Sequence, residues 1–457
     1  MQIALILAAG KGTRMKSKTI KVLHPILGQP MLQWSVDVAR EAGLKPWIVV
    51  GHQEETVREK MRAENPEQEL HFVRQNIPKG TGHAVQCALP DLPKEGTLLV
   101  FFGDTPLFRA ETLKQLLEFH KGYYATFLSA RLEDAGSYGR IVRDGEGKAL
   151  RIVEAANATL EELNIREINT GAAVFDLAWL HTVLMDFPDH PPKGEIYLTD
   201  ALEYAAKEGK AAAMILEDKT EADGVNDRAD LARASAILQA RIIQEHLKNG
   251  VSFEDPTSNT VEKNVQIEND SWIGRGVILR GQTKIASDVT IDAYSIIDEC
   301  NIAENVQINA YSHCYQAEIG ENGIIGPYAR LREGTILGSK AKIGNFVETK
   351  KTRMGAGAKA NHLTYLGDSE VGENVNVGAG TITCNYDGFG KHKTKIGAGA
   401  FIGSNSALVA PVEIGEGAIV GAGSVITKEV PKDAIAIARG MQTDLAGAAS
   451  KFRASRK

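Results

Sequence analysis

Through its C-terminal half the chain places an aliphatic residue at every sixth position. Ile267, Ile273, Leu279, Ile285, Ile291 and Ile297 form one unbroken series. The phase slips to Ile302 and Ile308, and slips again to Ile319, Ile325, Leu331, Leu337 and Ile343. After an irregular stretch it returns at Val371 and Val377, then runs Ile396, Ile402, Leu408, Ile414, Val420 and Ile426. A helix repeats about every 3.6 residues and a strand about every 2, so this period needs another geometry. A coil with three short flat sides, one hexapeptide per side, turns every aliphatic residue into a shared triangular core. Each turn advances by one strand spacing, ~4.8 Å. Glycine often follows the aliphatic position (Gly274, Gly326, Gly344, Gly403, Gly421), where it is expected to supply the tight corner. Ordinary hairpins with coincidental spacing are the alternative, and so many phased runs weigh against it.

The first half reads differently. Residues 1–226 alternate strand-like runs (Ile3–Leu7, Trp47–Val50, Leu98–Phe102, Ala172–Phe175) with amphipathic stretches such as Met31–Glu41 and Ala110–His120. That alternation predicts a Rossmann-like mixed α/β sheet, mostly parallel. Asp227–Lys248 lacks glycine and proline and carries Leu231, Ile237, Ile242, Ile243 and Leu247 at helical spacing. Asn226 or Asp227 can cap its start, and Gly250 stands just past its end. The expected division is a domain at 1–226, a linker helix at 227–250 spanning roughly 30 Å, and a β-helix domain at 251–457. The basic tail 451–457 is expected to be mobile.

Composition adds bounds. The chain has 457 residues, 43% hydrophobic and 24% charged, with net charge −6. Such a balance argues against non-specific nucleic-acid or membrane binding, so basic clusters are read as sites for small anions. No apolar stretch is long enough to span a bilayer. The four cysteines, Cys87, Cys300, Cys314 and Cys384, show no metal spacing, and free thiols in the cytoplasm are the economical reading.

The candidate chemistry begins at Leu7-Ala8-Ala9-Gly10-Lys11-Gly12-Thr13-Arg14-Met15, directly after the first strand. Small residues there let backbone N–H groups approach a nucleotide, and Lys11 and Arg14 can neutralise phosphate. Lys21 adds a cation a few residues on. Gln75 precedes a second glycine-rich loop, Lys79-Gly80-Thr81-Gly82-His83. The buried run Leu98–Phe102 ends in Gly103-Asp104, which puts an acid at the carboxyl edge of the sheet, where ligands bind. Asp104 suits Mg²⁺, which takes one or two carboxylates and fills its shell with phosphate oxygens and water. Taken alone, Asp104 reads equally as the cap of the following turn.

Together these residues resemble the sugar-nucleotidyltransferase family, and the likeness continues through Tyr138-Gly139-Arg140, Ile152-Val153-Glu154, Asn169-Thr170-Gly171 and Gly224-Val225-Asn226. The resemblance implies a nucleotide and sugar site formed by Leu7, Ala8, Ala9, Gly10, Arg14, Lys21, Gln75, Gly80, Thr81, Phe102, Gly103 and Asp104, with Gly139, Glu154 and Asn169 on the sugar. Asn226 would join Asp104 on Mg²⁺, or cap the linker helix, or both. The implied reaction is in-line attack of a sugar-1-phosphate oxygen on the α-phosphorus of a nucleoside triphosphate.

In the second half, Arg332 and Lys350 are one coil of eighteen residues apart and should converge on one anion. His362, followed closely by Tyr365, is the natural general base. Gly378–Gly388 interrupts the hexads with amide and phenol groups; Lys391 and Lys393 read as solvated charges, Arg439 less so. The motifs Asn345–Lys351, His362–Asp368 and Gly378–Gly388 resemble the bifunctional enzymes of bacterial cell-wall precursor synthesis. Those pair a glucosamine-1-phosphate N-acetyltransferase with an N-acetylglucosamine-1-phosphate uridyltransferase. The resemblance implies a left-handed β-helix, a homotrimer with acetyl sites between subunits, and acetyl-CoA and UTP as co-substrates. By carry-over His362 is catalytic, Arg332 and Lys350 bind the sugar phosphate, and Tyr365 and Asn376 orient the amino sugar. Asn385 and Tyr386 stand beside it and join Ala379, Ser404, Ala422 and Arg439 in the acetyl-CoA set. Two positions depart from the family pattern: Thr19-Ile20 before Lys21, and Glu333 after Arg332. Two other readings remain: a pyrophosphorylase whose β-helix only oligomerises, and a non-enzymatic nucleotide-sugar sensor.

Overall fold

The computed structural model describes residues 2–10, 12–191 and 194–456. Two compact units divide between Leu238 and Gln239, inside the helix Arg228–Lys248. That helix starts one residue later than its pattern suggests because Asp227 is its cap. The Asp227 Oδ1 accepts from the amides of Ala229 and Asp230 at 2.8 and 2.9 Å, using N–H groups that the first turn leaves unpaired.

The first unit is built on one sheet. From edge to edge its main strands are Ala211–Ile215, Ala125–Arg131, Glu167–Asp176, Thr97–Phe102, Gln2–Leu7, Lys45–Val50 and His71–Arg74. All neighbours run parallel except Glu167–Asp176, which is antiparallel to both strands beside it, so the sheet is mixed. Apolar clusters cover both faces, one around Ile6, Ile48 and Phe101 and one around Leu5, Val49 and Val100. Burial on both faces is why these strands read as continuous apolar runs rather than alternating ones.

The second unit is a left-handed parallel β-helix of short strands whose aliphatic spine forms a single core. Its register explains the phase slips. Ile267 pairs with Ile285 eighteen residues on, but Ile285 pairs with Ile302 and Ile302 with Ile319, each seventeen on. The register jump from Val371 to Ile396 absorbs the loop around Asp387. Spine positions without an aliphatic residue are filled by Cys314, Thr349, Ala360 and Thr383, all buried. Thr349 stays satisfied through a 2.9 Å hydroxyl contact with Thr335.

The corner glycines act differently from expectation. Of the five after aliphatic positions, only Gly326 has a positive φ, at 80°. The left-handed bends fall largely on other residues, among them Asp270, Asn305, Asn374 and the aromatic series Tyr294, Tyr311, Tyr328 and Phe346. A Cβ on Gly344 or Gly403 would instead strike the backbone of the next coil, at Asn361 or Ala422. Close approach between coils, not backbone twist, requires glycine there. The aromatic series stacks ring on ring along one corner, with centroids 5.1–5.4 Å apart. The ladders continue to Ile435–Ala436, and the tail expected to be mobile contains a helix, Ala448–Ala454.

Candidate functional sites

A cleft of about 510 Å³ opens at the carboxyl ends of the central strands of the first unit. Leu7, Arg14, Gly80, Thr81, Phe102, Asp104, Gly139, Glu154, Asn169 and Asn226 all line it. Ala8, Ala9, Gly10, Lys21, Gln75 and Gly103 do not line it, and Lys11 lies outside the described residues. Lys21 nonetheless belongs to the site, since its ammonium pairs with the Asp104 carboxylate. Gln75 is buried and braces the second glycine loop by donating to the Gly80 carbonyl at 3.1 Å and to His83 Nδ1 at 3.0 Å. Burial first, and then nearby Lys79, holds the His83 pKa below its usual value, consistent with an accepting ring nitrogen.

Backbone hydrogen bonds and side-chain pairs together hold the polar groups of the cleft. The Val225 amide donates to the Asp104 carbonyl at 2.8 Å, which fixes the 224–226 loop beside the acid. With Asp227 capping the helix, the Asn226 side chain is released, and its Oδ1 accepts from Arg14 Nη2 at 2.8 Å. The Asn169 amide donates to the Gly139 carbonyl at 2.9 Å, joining two of the sugar candidates. Gly171, with φ of 86°, sits under the Phe102 ring, where any Cβ would collide. Burial raises the Glu154 pKa, with the Thr199 hydroxyl, 3.4 Å away, pulling the other way. Tyr138, quoted above only as part of a motif, also lines the cleft, and Glu195, Tyr197 and Thr199 form a wall that the sequence does not mark. No pattern marks 195–199, a two-residue strand Glu195–Ile196 and the turn after it, which is positioned by contact with the second glycine loop: the Leu198 amide donates to Thr81 Oγ1 at 3.0 Å.

One carboxylate and one amide oxygen, each already facing a cationic side chain, make a donor set that fits a hard dication drawing further ligands from phosphate and water. Among the described residues no cluster of three His, Cys, Asp or Glu side chains offers a closed metal site.

In the second unit the register assembles the acetyl candidates. Asn345 pairs with His362. Ala360 pairs with Val377, Val377 with Ile402, and Ile402 with Val420. Two residues further along each strand, His362, Ala379, Ser404 and Ala422 therefore stack in one column, one coil per step. Arg439 closes it, its Nη1 donating to the Ala422 carbonyl at 2.7 Å. From His362 to Arg439 is four steps, roughly 19 Å. His362 Nδ1 lies 2.7 Å from Asn345 Oδ1. With an amide oxygen as acceptor, Nδ1 carries the hydrogen and Nε2 keeps its lone pair.

Around the corner, Leu331 pairs with Thr349, which places Arg332 over Lys350 as expected. Glu348, overlooked in the sequence, accepts from Arg332 Nη1 at 2.9 Å, and Glu333 lies 3.0 Å from Lys350 Nζ. Tyr365 pairs in register with Glu348, and its hydroxyl and the Asn385 amide both crowd the space over Gly367. Tyr386 is exposed, with Lys391 4.6 Å over its ring. Asn376 is not brought to this group. It lies on another face, in register with Lys359 and Phe401. Cys300 and Cys314 serve packing: burial pushes the Cys300 thiol up to about 11, and the Cys314 thiol is likewise raised.

The chain is similar along nearly its full length to curated proteins. It is 45% identical to the bifunctional protein GlmU of Pelobacter propionicus, with 97% of each chain covered. It is 47% identical to that of Syntrophotalea carbinolica, with 96% of this chain and 95% of the relative covered. The chain belongs to the GlmU family of bifunctional proteins. Residues 4–218 match the MobA-like NTP transferase domain, 261–355 the GMPPB C-terminal domain, and 393–428 the bacterial transferase hexapeptide of six repeats. GlmU membership implies a divalent metal at the nucleotidyl-transfer centre, and hexapeptide β-helices typically oligomerise. No described helix is long and apolar enough to cross a membrane.

Proposed function

We infer that this protein makes UDP-N-acetylglucosamine in two steps. The second unit acetylates glucosamine-1-phosphate from acetyl-CoA, and the first transfers uridylyl from UTP to the N-acetylglucosamine-1-phosphate so formed, releasing pyrophosphate. The carrying observation is the His362 column, because an inert coil has no use for a base held in one tautomer.

In the acetyl step, Arg332 and Lys350 hold the sugar phosphate while Tyr365, Asn385 and Tyr386 orient the amino sugar. His362 Nε2 takes the amine proton as nitrogen attacks the thioester carbonyl, and the coenzyme leaves as thiolate. Asn345 keeps the ring in the required tautomer. Ala379, Ser404 and Ala422 give the coenzyme arm a narrow track, and Arg439 meets its phosphates. Asn376 lies on the face of the His362 column and away from Arg332 and Lys350, so it is free to meet an amino sugar seated on a neighbouring copy. This, together with the open column, supports a homotrimer with shared acetyl sites.

In the uridylyl step, the two glycine loops admit the nucleotide, while Gly139, Glu154 and Asn169 hold the sugar. Mg²⁺, held by Asp104 and Asn226, would neutralise phosphate charge and orient the triphosphate. Arg14 and Lys21 already contact Asn226 and Asp104 and offset charge on the departing pyrophosphate. The phosphate nucleophile is ionised at neutral pH, so positioning replaces a general base. The division of labour is 1–226 for uridylyl transfer, 227–250 as linker helix and 251–457 for acetyl transfer, in the cytoplasm, with neither nucleic acid nor membrane as partner.

The test is incubation of purified protein with glucosamine-1-phosphate, acetyl-CoA, UTP and Mg²⁺, omitting one component at a time. The complete mixture should yield UDP-N-acetylglucosamine, and omission of UTP should leave N-acetylglucosamine-1-phosphate. Uridylyl transfer without any acetylation would leave a pyrophosphorylase with an oligomerising β-helix.

A further inference from the structure

Two cations and two carboxylates meet on the face that would bind the sugar phosphate. Lys350 Nζ lies 3.0 Å from Glu333 Oε1, and Arg332 Nε lies 3.7 Å from Glu333 Oε2. Arg332 Nη1 also donates to Glu348 Oε1 at 2.9 Å. Glu348 has a further partner in Arg330, in register with it and 3.9 Å away. Glu333 has no such alternative: among the described residues its ion pairs are with Arg332 and Lys350 alone. The hydrogen bond from Lys350 holds its carboxyl below the usual range, so it is ionised at neutral pH. All three side chains are about a third exposed (31%, 33% and 28%), so ligand and solvent can reach the pair.

We propose that Glu333 is an internal competitor for the phosphate: its carboxylate occupies Lys350 and Arg332 in the empty site and must be displaced before a phosphate monoester binds. This rests on the reading that Arg332 and Lys350 seat the sugar phosphate. Physically, the ion pair keeps two like charges oriented without a ligand, at the cost of affinity. A doubly charged monoester displaces a single carboxylate, whereas a singly charged diester has little advantage over it. Glu333 thereby sets both the affinity of the site and its preference for a dianion.

The experiment uses the full-length protein and its E333Q and E333A variants. The KM for glucosamine-1-phosphate in acetyl transfer should fall about three- to fivefold in both, the size expected for loss of a partly exposed ion pair. Turnover at saturation should hold, which a merely structural role would not deliver. Calorimetric binding of inorganic phosphate should tighten by the same factor, and the change should shrink when Lys350→Gln is already present, since only the longer Arg332 contact then remains. Uridylyl transfer and the thermal midpoint report folding. An unchanged or higher KM and phosphate Kd in folded variants would overturn the proposal. Absence of acetyl transfer by the unaltered protein would sink the underlying reading instead, while phosphate binding would still report on Glu333.

Discussion

The two candidate sites are assembled in opposite ways. The cleft of the first unit gathers residues from Leu7 to Asn226, separated widely along the chain. The acetyl face of the second unit gathers its residues by counting: seventeen from Asn345 to His362, and again from His362 to Ala379. The first is enclosed by folding of a single chain. The second is an exposed column, and its polar groups are aligned but not surrounded. A sheet-edge site thus gets its walls from long connections. A solenoid site gets its alignment from register and must borrow its walls.

The sharpest way to break this contrast is to remove one centre and watch the other. His362→Ala should lower acetyl transfer by about 10²–10⁴, the usual contribution of a general base, and leave uridylyl transfer intact in a coupled product assay. Asp104→Ala should do the reverse, lowering uridylyl transfer by at least ~100-fold. Should either variant lose both activities while still folded, the two centres are not independent.

Asn345→Ala tests register as the organising principle. One neutral hydrogen bond is worth about 1 kcal/mol, so acetyl kcat should drop roughly fivefold with KM little changed. An unchanged kcat would mean that the column does not position the ring.

The smallest effect concerns Glu154. Burial raises its folded pKa above the unfolded value, so ionisation opposes folding. The stability this carboxyl lends is complete below the unfolded pKa and is lost as pH rises through the folded one. Glu154→Gln should therefore raise the thermal midpoint of the first unit slightly at pH 7 and not at pH 4, while weakening sugar binding. A gain only at the acidic end would reverse the assignment.

Much of this was legible in the sequence because periodicity and glycine-rich turns are local signals. The hexads mark the β-helix, and the eighteen-residue spacing alone puts Arg332 over Lys350. The antiparallel strand Glu167–Asp176 was not legible, since a strand buried on both faces reads the same in either direction. Cys314 and Thr349 hid as spine positions because neither is aliphatic. Asn345 was within reach: it stands one seventeen-residue coil before His362, and turns of that length already show as phase slips at Ile302 and Ile319. Glu195–Thr199 could not be found, because its place in the cleft depends on a hydrogen bond to Thr81 and not on any pattern of its own.

Because Arg439 bonds to Ala422 at the end of the His362 column, the solenoid works as a ruler graduated in whole turns. Deleting or duplicating a turn between Ser404 and Ala422 would shift the Arg439 guanidinium by one graduation, ~4.8 Å, without touching His362. Acyl donors with shorter or longer arms could then be matched by changing the number of turns, with no new side chain required.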